Sequence, residues 1–157
     1  MMHSLPCMIL RGGTSRGPFL RLDHLPADDE GRREVLRQVM GSGHVLQIDG
    51  LGGGNSLTSK VALVGPPSHP EADVDYLFAQ VDVESDKVDF SPNCGNMLAA
   101  VGPYAIETGM IAPQGDLTRL RIHNLNTRTL IDSQVPTPGG AVAYQGDTRI
   151  SGVPGAG

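Results

Sequence analysis

The chain has 157 residues, enough for one domain or two very small lobes, and a formal net charge of -5. Its 12 basic residues are scattered, which argues against a nucleic-acid partner, because phosphates call for a concentrated basic face. Two cysteines make no disulfide framework, no apolar run approaches the ~18 residues of a membrane span, and Met1-Met2-His3-Ser4-Leu5-Pro6 lacks the regions of a signal peptide, so a reduced cytoplasmic protein with no membrane partner is expected.

With 21 Gly, 12 Pro and only 4% aromatics, the composition fits a turn-rich fold of many short strands. Leu5 to Leu10 reads as a strand and Pro18 to Leu22 as a second. Between them lies a turn rich in donors, Arg11-Gly12-Gly13-Thr14-Ser15-Arg16-Gly17. Asp28 to Met40 reads as a helix, with Asp28 as its cap, an acidic first turn and an apolar face of Val35, Leu36, Val39 and Met40; Gly41-Ser42-Gly43 ends it. A glycine loop follows, Ile48-Asp49-Gly50-Leu51-Gly52-Gly53-Gly54-Asn55. Next come Ser56-Leu57-Thr58-Ser59-Lys60 and a strand, Val61 to Val64. Pro66 to Pro70 reads as an exposed loop. Val74, Tyr76 and Phe78 alternate, and Val81 and Val83 do so in another phase, which predicts a long strand with a bulge near Gln80. Val88 to Phe90 is a short return strand.

A second helix is expected from Cys94 to Thr108, capped by Asn93, closed at Gly109 and kinked at Gly102-Pro103. It is apolar nearly all round, so it belongs inside the fold. Strands are expected over Leu117 to His123, Thr129 to Val135 and Val142 to Tyr144, with a turn at Pro136 to Gly140. Gly152 to Gly157 reads as a linker.

Three segments carry chemistry. Ser91-Pro92-Asn93-Cys94-Gly95-Asn96 puts a thiol and free backbone N–H groups at a helix start, an environment that favours anions and suits proton transfer beside a carboxylate. A buried, space-filling cysteine is the alternative. The glycine loop is no P-loop, because Lys60 precedes a strand and not a helix. Partly desolvated after a donor-rich loop, Lys60 suits a general base; a solvated surface lysine is the alternative. The Arg11–Gly17 turn offers two cations, two hydroxyls and bare N–H groups, which suit a di- or tricarboxylate, or else form a polar hairpin turn. The histidines show no metal spacing, and no GxSxG elbow occurs, so neither a metal nor an acyl-enzyme is expected.

Taken together, Leu10 to Gly17, Ile48 to Gly53 with Leu57-Thr58-Ser59-Lys60, Asn93-Cys94-Gly95-Asn96, and Val101-Gly102-Pro103-Tyr104-Ala105-Ile106-Glu107 closely resemble the PrpF family of isomerases, which includes 4-oxalomesaconate tautomerases and methylaconitate cis-trans isomerases. The resemblance covers almost the whole chain. It implies an α+β, diaminopimelate-epimerase-like lobe: a curled, mostly antiparallel sheet around a central buried helix, with the active site in the cleft between two such lobes. The lobe would fill residues 1–150, and residues 151–157 would begin the inter-lobe linker, with the C-terminal lobe absent. The resemblance also implies catalysis without cofactors, with acid/base roles on Lys60 and Cys94. Carboxylate binding would fall on Thr14, Ser15, Gly95 and Asn96, with Ser56 and Thr58 beside them. The family usually has Lys where this chain has Arg16, which keeps the charge and loses a titratable amine.

The expected function is an allylic 1,3-proton shift on an unsaturated di- or tricarboxylate. The alternatives are a carboxylate binder, an accessory protein to an aconitase-like enzyme, or an inactive lone lobe. An open cleft admits water, so a homodimer or a pairing with a separate C-terminal lobe is expected.

Overall fold

In the computed structural model, residues 4–157 are described, and Met1 to His3 of the segment read above for a leader lie outside them. Seven strands form one mixed sheet: β1 (Cys7–Gly12), β2 (Ser15–Arg21), β3 (Lys60–Gly65), β4 (Val74–Val81), β5 (Val88–Asp89), β6 (Leu117–Asn124) and β7 (Thr129–Pro136). The order is β1-β2-β3-β4-β6-β7, with β5 on β4. Pairing is antiparallel in β1/β2, β3/β4, β4/β5 and β6/β7, and parallel in β2/β3 and β4/β6.

The sheet separates two cores. On the inner face, Phe19, Ala62, Val64, Val74, Tyr76 and Phe78 pack against a broken helix, α2 (Gly95–Leu98) and α3 (Val101–Glu107). On the outer face, Leu20, Val61, Leu63, Leu77 and Ala79 pack against Leu36 and Met40 of α1 (Asp29–Met40). The expected cap of α1 is present: the Asp28 side chain accepts from Gly31 N–H at 2.7 Å. Gly41, left-handed at φ 68°, closes the other end.

The inner helix is buried as its composition requires, with Met97, Val101, Tyr104 and Ala105 at most 1% exposed. It breaks at Ala99–Ala100 and not at Gly102-Pro103. Pro103 has no N–H to give the carbonyl four residues back, and its ring crowds that carbonyl, that of Ala99. Restarting the helix at Val101 puts Pro103 in a first turn, where no such bond is needed. Gly102 lets α3 close on the sheet, since a Cβ there would meet Val135, Ser133 and Leu120. Gly109, at φ 72°, terminates α3, with Met110 N–H returning to Ala105 O at 2.9 Å.

Three further expectations are corrected. The β3/β4 register runs unbroken from Lys60–Gln80 to Gly65–Asp75, so there is no bulge near Gln80. The apparent phase change arises because β4 is apolar on both faces, Val74, Tyr76 and Phe78 inward and Leu77, Ala79 and Val81 outward. Asn93 does not cap the helix: Cys94 is the N-cap residue, and the Asn93 carboxamide oxygen instead accepts from Asn124 at 2.9 Å. Val142 to Tyr144 forms no strand; it keeps one backbone bond, Ala143 N–H to Pro136 O at 3.0 Å, after a 3-10 turn at Pro138–Gly140.

Along its far edge β4 pairs first with β6, at Val74–Tyr76, and then with β5, at Gln80–Val81. Asn126 fills the gap between them. Its Oδ1 accepts from Phe78 N–H at 2.8 Å, and its Nδ2 donates to Phe78 O at 2.9 Å and Phe90 O at 2.8 Å, in the manner of a neighbouring strand. With Asn124 holding Asn93, this corner sets the approach to Cys94.

Candidate active site

Lys60 opens β3 and shares the inner face with Ala62 and Val64. It is half-buried. Its Nζ donates to Gln80 Oε1 at 2.6 Å and lies 5.1 Å from the Phe78 ring centroid. The Gln80 amide is itself held, its Nε2 donating to Ser56 O at 3.1 Å and Ser59 O at 3.0 Å. Gly17 lies against this point: a Cβ there would strike the Lys60 carbonyl and approach Met97 Cε. Absence of a side chain on β2 thus lets the start of β3 and the start of α2 come together.

Cys94 is the residue before α2, extended at φ -135°, ψ 99°. It is 7% exposed and belongs to the inner core, whereas Cys7 is exposed; both are free thiols. The Cys94 carbonyl accepts from Tyr76 O–H at 3.2 Å and from Leu98 N–H at 3.1 Å. Burial pushes the Tyr76 phenol well up, with Cys94 adding to it, so the phenol remains a donor across the ordinary pH range.

The β1/β2 hairpin turns on Gly13 and Thr14 and meets the start of α2 directly. Asn96 Nδ2 donates to Thr14 Oγ1 at 2.9 Å and, more weakly, to Ser15 Oγ at 3.4 Å. A Cβ on Gly12 or Gly13 would collide with Asn96, so only glycine permits this contact. Thr14, Gly95 and Asn96 are exposed, Ser15 is buried, and open space surrounds the Gly95 Cα. Four of the six residues expected to bind carboxylate therefore form one cluster.

Ser56 and Thr58 approach through backbone. The Ser56 carbonyl holds Gln80, and Leu57 O accepts from Arg16 N–H at 3.0 Å. The Thr58 hydroxyl is turned back to Asn55 O at 3.2 Å. Arg11 and Arg16 face each other across the hairpin, and strand alternation sets them on the outer face with Cys7 and Leu20, away from Lys60.

The five central N–H groups of the glycine loop are spent inside the protein. Gly50, Leu51, Gly52, Gly53 and Gly54 all donate their N–H groups within the protein, to Gln47 O, Val39 O, Met40 O, Thr58 O and Gln47 Oε1. At the centre is Gln47, 1% exposed, at φ 47°, its Nε2 donating to Ser59 Oγ at 2.7 Å. Neither Gln47 nor Gln80 stands out in the sequence; a buried amide is visible only once its partners are placed. The glycines allow a tight wrap around Gln47, and the loop is a brace for β3.

No group of three or more His, Cys, Asp or Glu side chains is placed to hold a metal ion among the described residues. His69 and His123, distant in sequence, do meet, with ring centroids 5.4 Å apart, but His123 Nδ1 bonds Asp75 at 3.0 Å and His69 Nδ1 accepts from Glu71 N–H at 3.1 Å. A groove of about 700 Å³ runs along the outer face between α1 and the glycine loop, past Leu25, Val35, Val39 and Leu51, remote from Lys60 and Cys94. Among the described residues no helix is long and apolar enough to cross a membrane.

The curled sheet on a broken inner helix is the architecture of racemase- and epimerase-like α+β proteins. A hydroxyproline epimerase from Agrobacterium vitis shares it with a TM-score of 0.54 at 18% identity, over 87% of this chain and 39% of that one, a likeness of fold alone. The chain matches the PrpF protein family over residues 2–157 and belongs to it. It is 53% identical to the 4-oxalomesaconate tautomerase of Pseudomonas putida, over 96% of this chain and 42% of that protein. A crystal structure of methylitaconate-delta-isomerase superposes with a TM-score of 0.92 at 48% identity, covering 97% of this chain and 68% of that one. The chain thus spans about two fifths of the length of the curated relative it matches.

Proposed function

We propose that this chain is the N-terminal lobe of a cofactor-independent isomerase that moves a proton between the ends of an allyl unit in an unsaturated di- or tricarboxylate of the oxalomesaconate or methylitaconate type. The observation that carries this reading is an amine, Lys60, held half-buried on the sheet face that the Cys94 core covers, where Gly17 lets the start of β3 meet Met97, the residue after the Thr14–Ser15–Asn96 cluster. The neutral Lys60 amine takes a proton from the carbon next to the carbonyl or C=C. The electron pair left behind spreads over the conjugated system as a dienolate, which nearby N–H and O–H donors stabilise. Cys94 protonates the far carbon, and the double bond shifts by one position. One proton leaves and one arrives, so no oxidant or cofactor enters the balance. Thr14, Ser15, Gly95 and Asn96 bind carboxylate, with Ser56 and Thr58 at the margin.

A second lobe completes the cleft and excludes water. The test is isomerisation of a 4-oxalomesaconate-type substrate in D2O over a dilution series, with sedimentation run alongside. We expect deuterium at the shifted carbon, its loss in Lys60→Ala, and specific activity that falls as the assembly dissociates. Full activity in Lys60→Ala overturns the assignment of the base, and full activity in a clean monomer overturns the two-lobe cleft.

The burial of Cys94 favours a second reading, a lobe that binds carboxylate without turning it over. Exposure alone ranks Cys7 ahead of Cys94 toward iodoacetamide, and only a thiolate poised at Cys94 reverses that order. Slow labelling of Cys94 behind Cys7 supports the binder.

A further inference from the structure

Lys60 forms no ion pair among the described residues. Its amine is held by a neutral group. Gln80 Oε1 accepts from Nζ at 2.6 Å, and the Phe78 ring lies beneath at 5.1 Å. The Gln80 amide cannot flip without loss, because its Nε2 donates to two carbonyls, Ser56 O and Ser59 O, which an oxygen in that place would repel. Those carbonyls belong to the residues that lead into Lys60 itself. One side chain therefore fixes both the backbone approach to the lysine and the position of its amine.

We infer that Gln80 is the positioning residue of the Lys60 base, chosen as an amide because it orients the amine without supplying a negative charge. This inference rests on the proposed role of Lys60. A carboxylate at the same place would bind the ammonium form as an ion pair and hold the proton on it. An amide carbonyl accepts an N–H from the amine in either protonation state, so position is maintained while the proton is lost and regained. On the inner face around Lys60, β2 offers Gly17, β4 offers Phe78 and Gln80, and α2 offers Met97; the acids on that side are Asp89, opposite Gln80 on β5 with its carboxylate taken by Ser91 and Lys87, and the Cys94 thiol of the same core, and neither is paired with the amine among the described residues. Asp82 and Glu84 share a shallow groove with Gln80, and Arg16 lies by Gly53 and Thr58.

The sequence makes the test direct, because it contains only two lysines, Lys60 and Lys87. In the 157-residue chain labelled with [13C]lysine, the Cε–Hε resonances of each amine are followed against pH in the wild type, Gln80→Met and Gln80→Glu. Lys87, exposed and paired with Asp89, is the reference amine and the check on folding. We expect the Lys60 midpoint to fall in Gln80→Met, which removes the acceptor, and to rise in Gln80→Glu, which adds charge, each by more than the shift of Lys87, whose partner Asp89 lies opposite Gln80. Both variants lose the anchors on Ser56 O and Ser59 O, so mere loosening would move Lys60 in one common direction. Opposite shifts support the inference. Shifts in a common direction, or superimposable Lys60 curves, overturn it. Because the readout needs no turnover, it stands apart from the Lys60→Ala assay: opposite shifts beside a fully active Lys60→Ala would sink the proposed base and leave the Gln80 contact, and the reverse pattern would do the converse.

Discussion

Asp89 sits three residues before Pro92 in the turn that leads to Cys94, and its Oδ1 accepts from both the hydroxyl of Ser91 at 2.6 Å and its N–H at 2.9 Å. Chiefly through the Ser91 hydroxyl, with the Ser91 N–H and Lys87 adding to it, its carboxyl is pulled down to about 2 from the usual 3.8. A carboxylate with a depressed folded value stabilises fully above its ordinary value and loses that contribution as pH falls through the folded value. The window is therefore from pH 3.8 down to about 2. Asp89→Asn should leave the acid limb of the stability curve shallower across that window than in the wild type, as read from urea midpoints at successive pH values. Parallel acid limbs would show that the turn bond carries no such linkage. Residues of this kind, with Gln47 and Gln80, act by fixing neighbours and not by touching a substrate.

Among the elements, the inner helix shows how much could be read directly. Its apolar circumference specified burial, and Pro103 specified a break, because a missing N–H and a crowded carbonyl are properties of one residue. The strands bounding it were also legible, since Leu120 and Ile122 alternate with Arg119, Arg121 and His123 in β6. The end of β4 was not, because a strand with a core on each side loses the period of two that marks a half-buried one. Lys60, Cys94 and the hairpin were visible as motifs, but Gln80 and Asn126 were not, because an amide acquires a role only from groups far away along the chain. Asn126 offers the clearest test. Asn126→Ala leaves Phe78 N–H, Phe78 O and Phe90 O without their partner. We expect it to cost about 2–4 kcal/mol in urea unfolding, given roughly 1–3 kcal/mol for a partly buried group left unpaired and partial rescue by water. A loss below about 0.5 kcal/mol would show that the gap between β5 and β6 tolerates solvent.

At the scale of the whole molecule, the sheet is the partition between two cores, and β3 and β4 are its middle. Both strands are covered on both faces, and β4 is bonded to β3, β5, β6 and a side chain. Backbone hydrogens held in that way are released only when the entire structure opens, whereas the Gly13–Thr14 tip lies at the end of an edge hairpin and opens by local fluctuation. In native-state deuterium exchange, the amides of Ala62, Leu63, Leu77 and Phe78 should exchange last, at rates that follow global unfolding, while Thr14 exchanges orders of magnitude sooner. Early exchange at Leu77 or Phe78 would contradict it. Lys60 opens β3 and Gln80 lies near the end of β4, so the proposed base is carried by the two strands expected to open last. The hairpin tip, for which carboxylate binding is proposed, opens far more readily. Under the proposed function, two tempos in one site would let the hairpin admit and release a ligand while the atoms on which proton transfer depends keep their place.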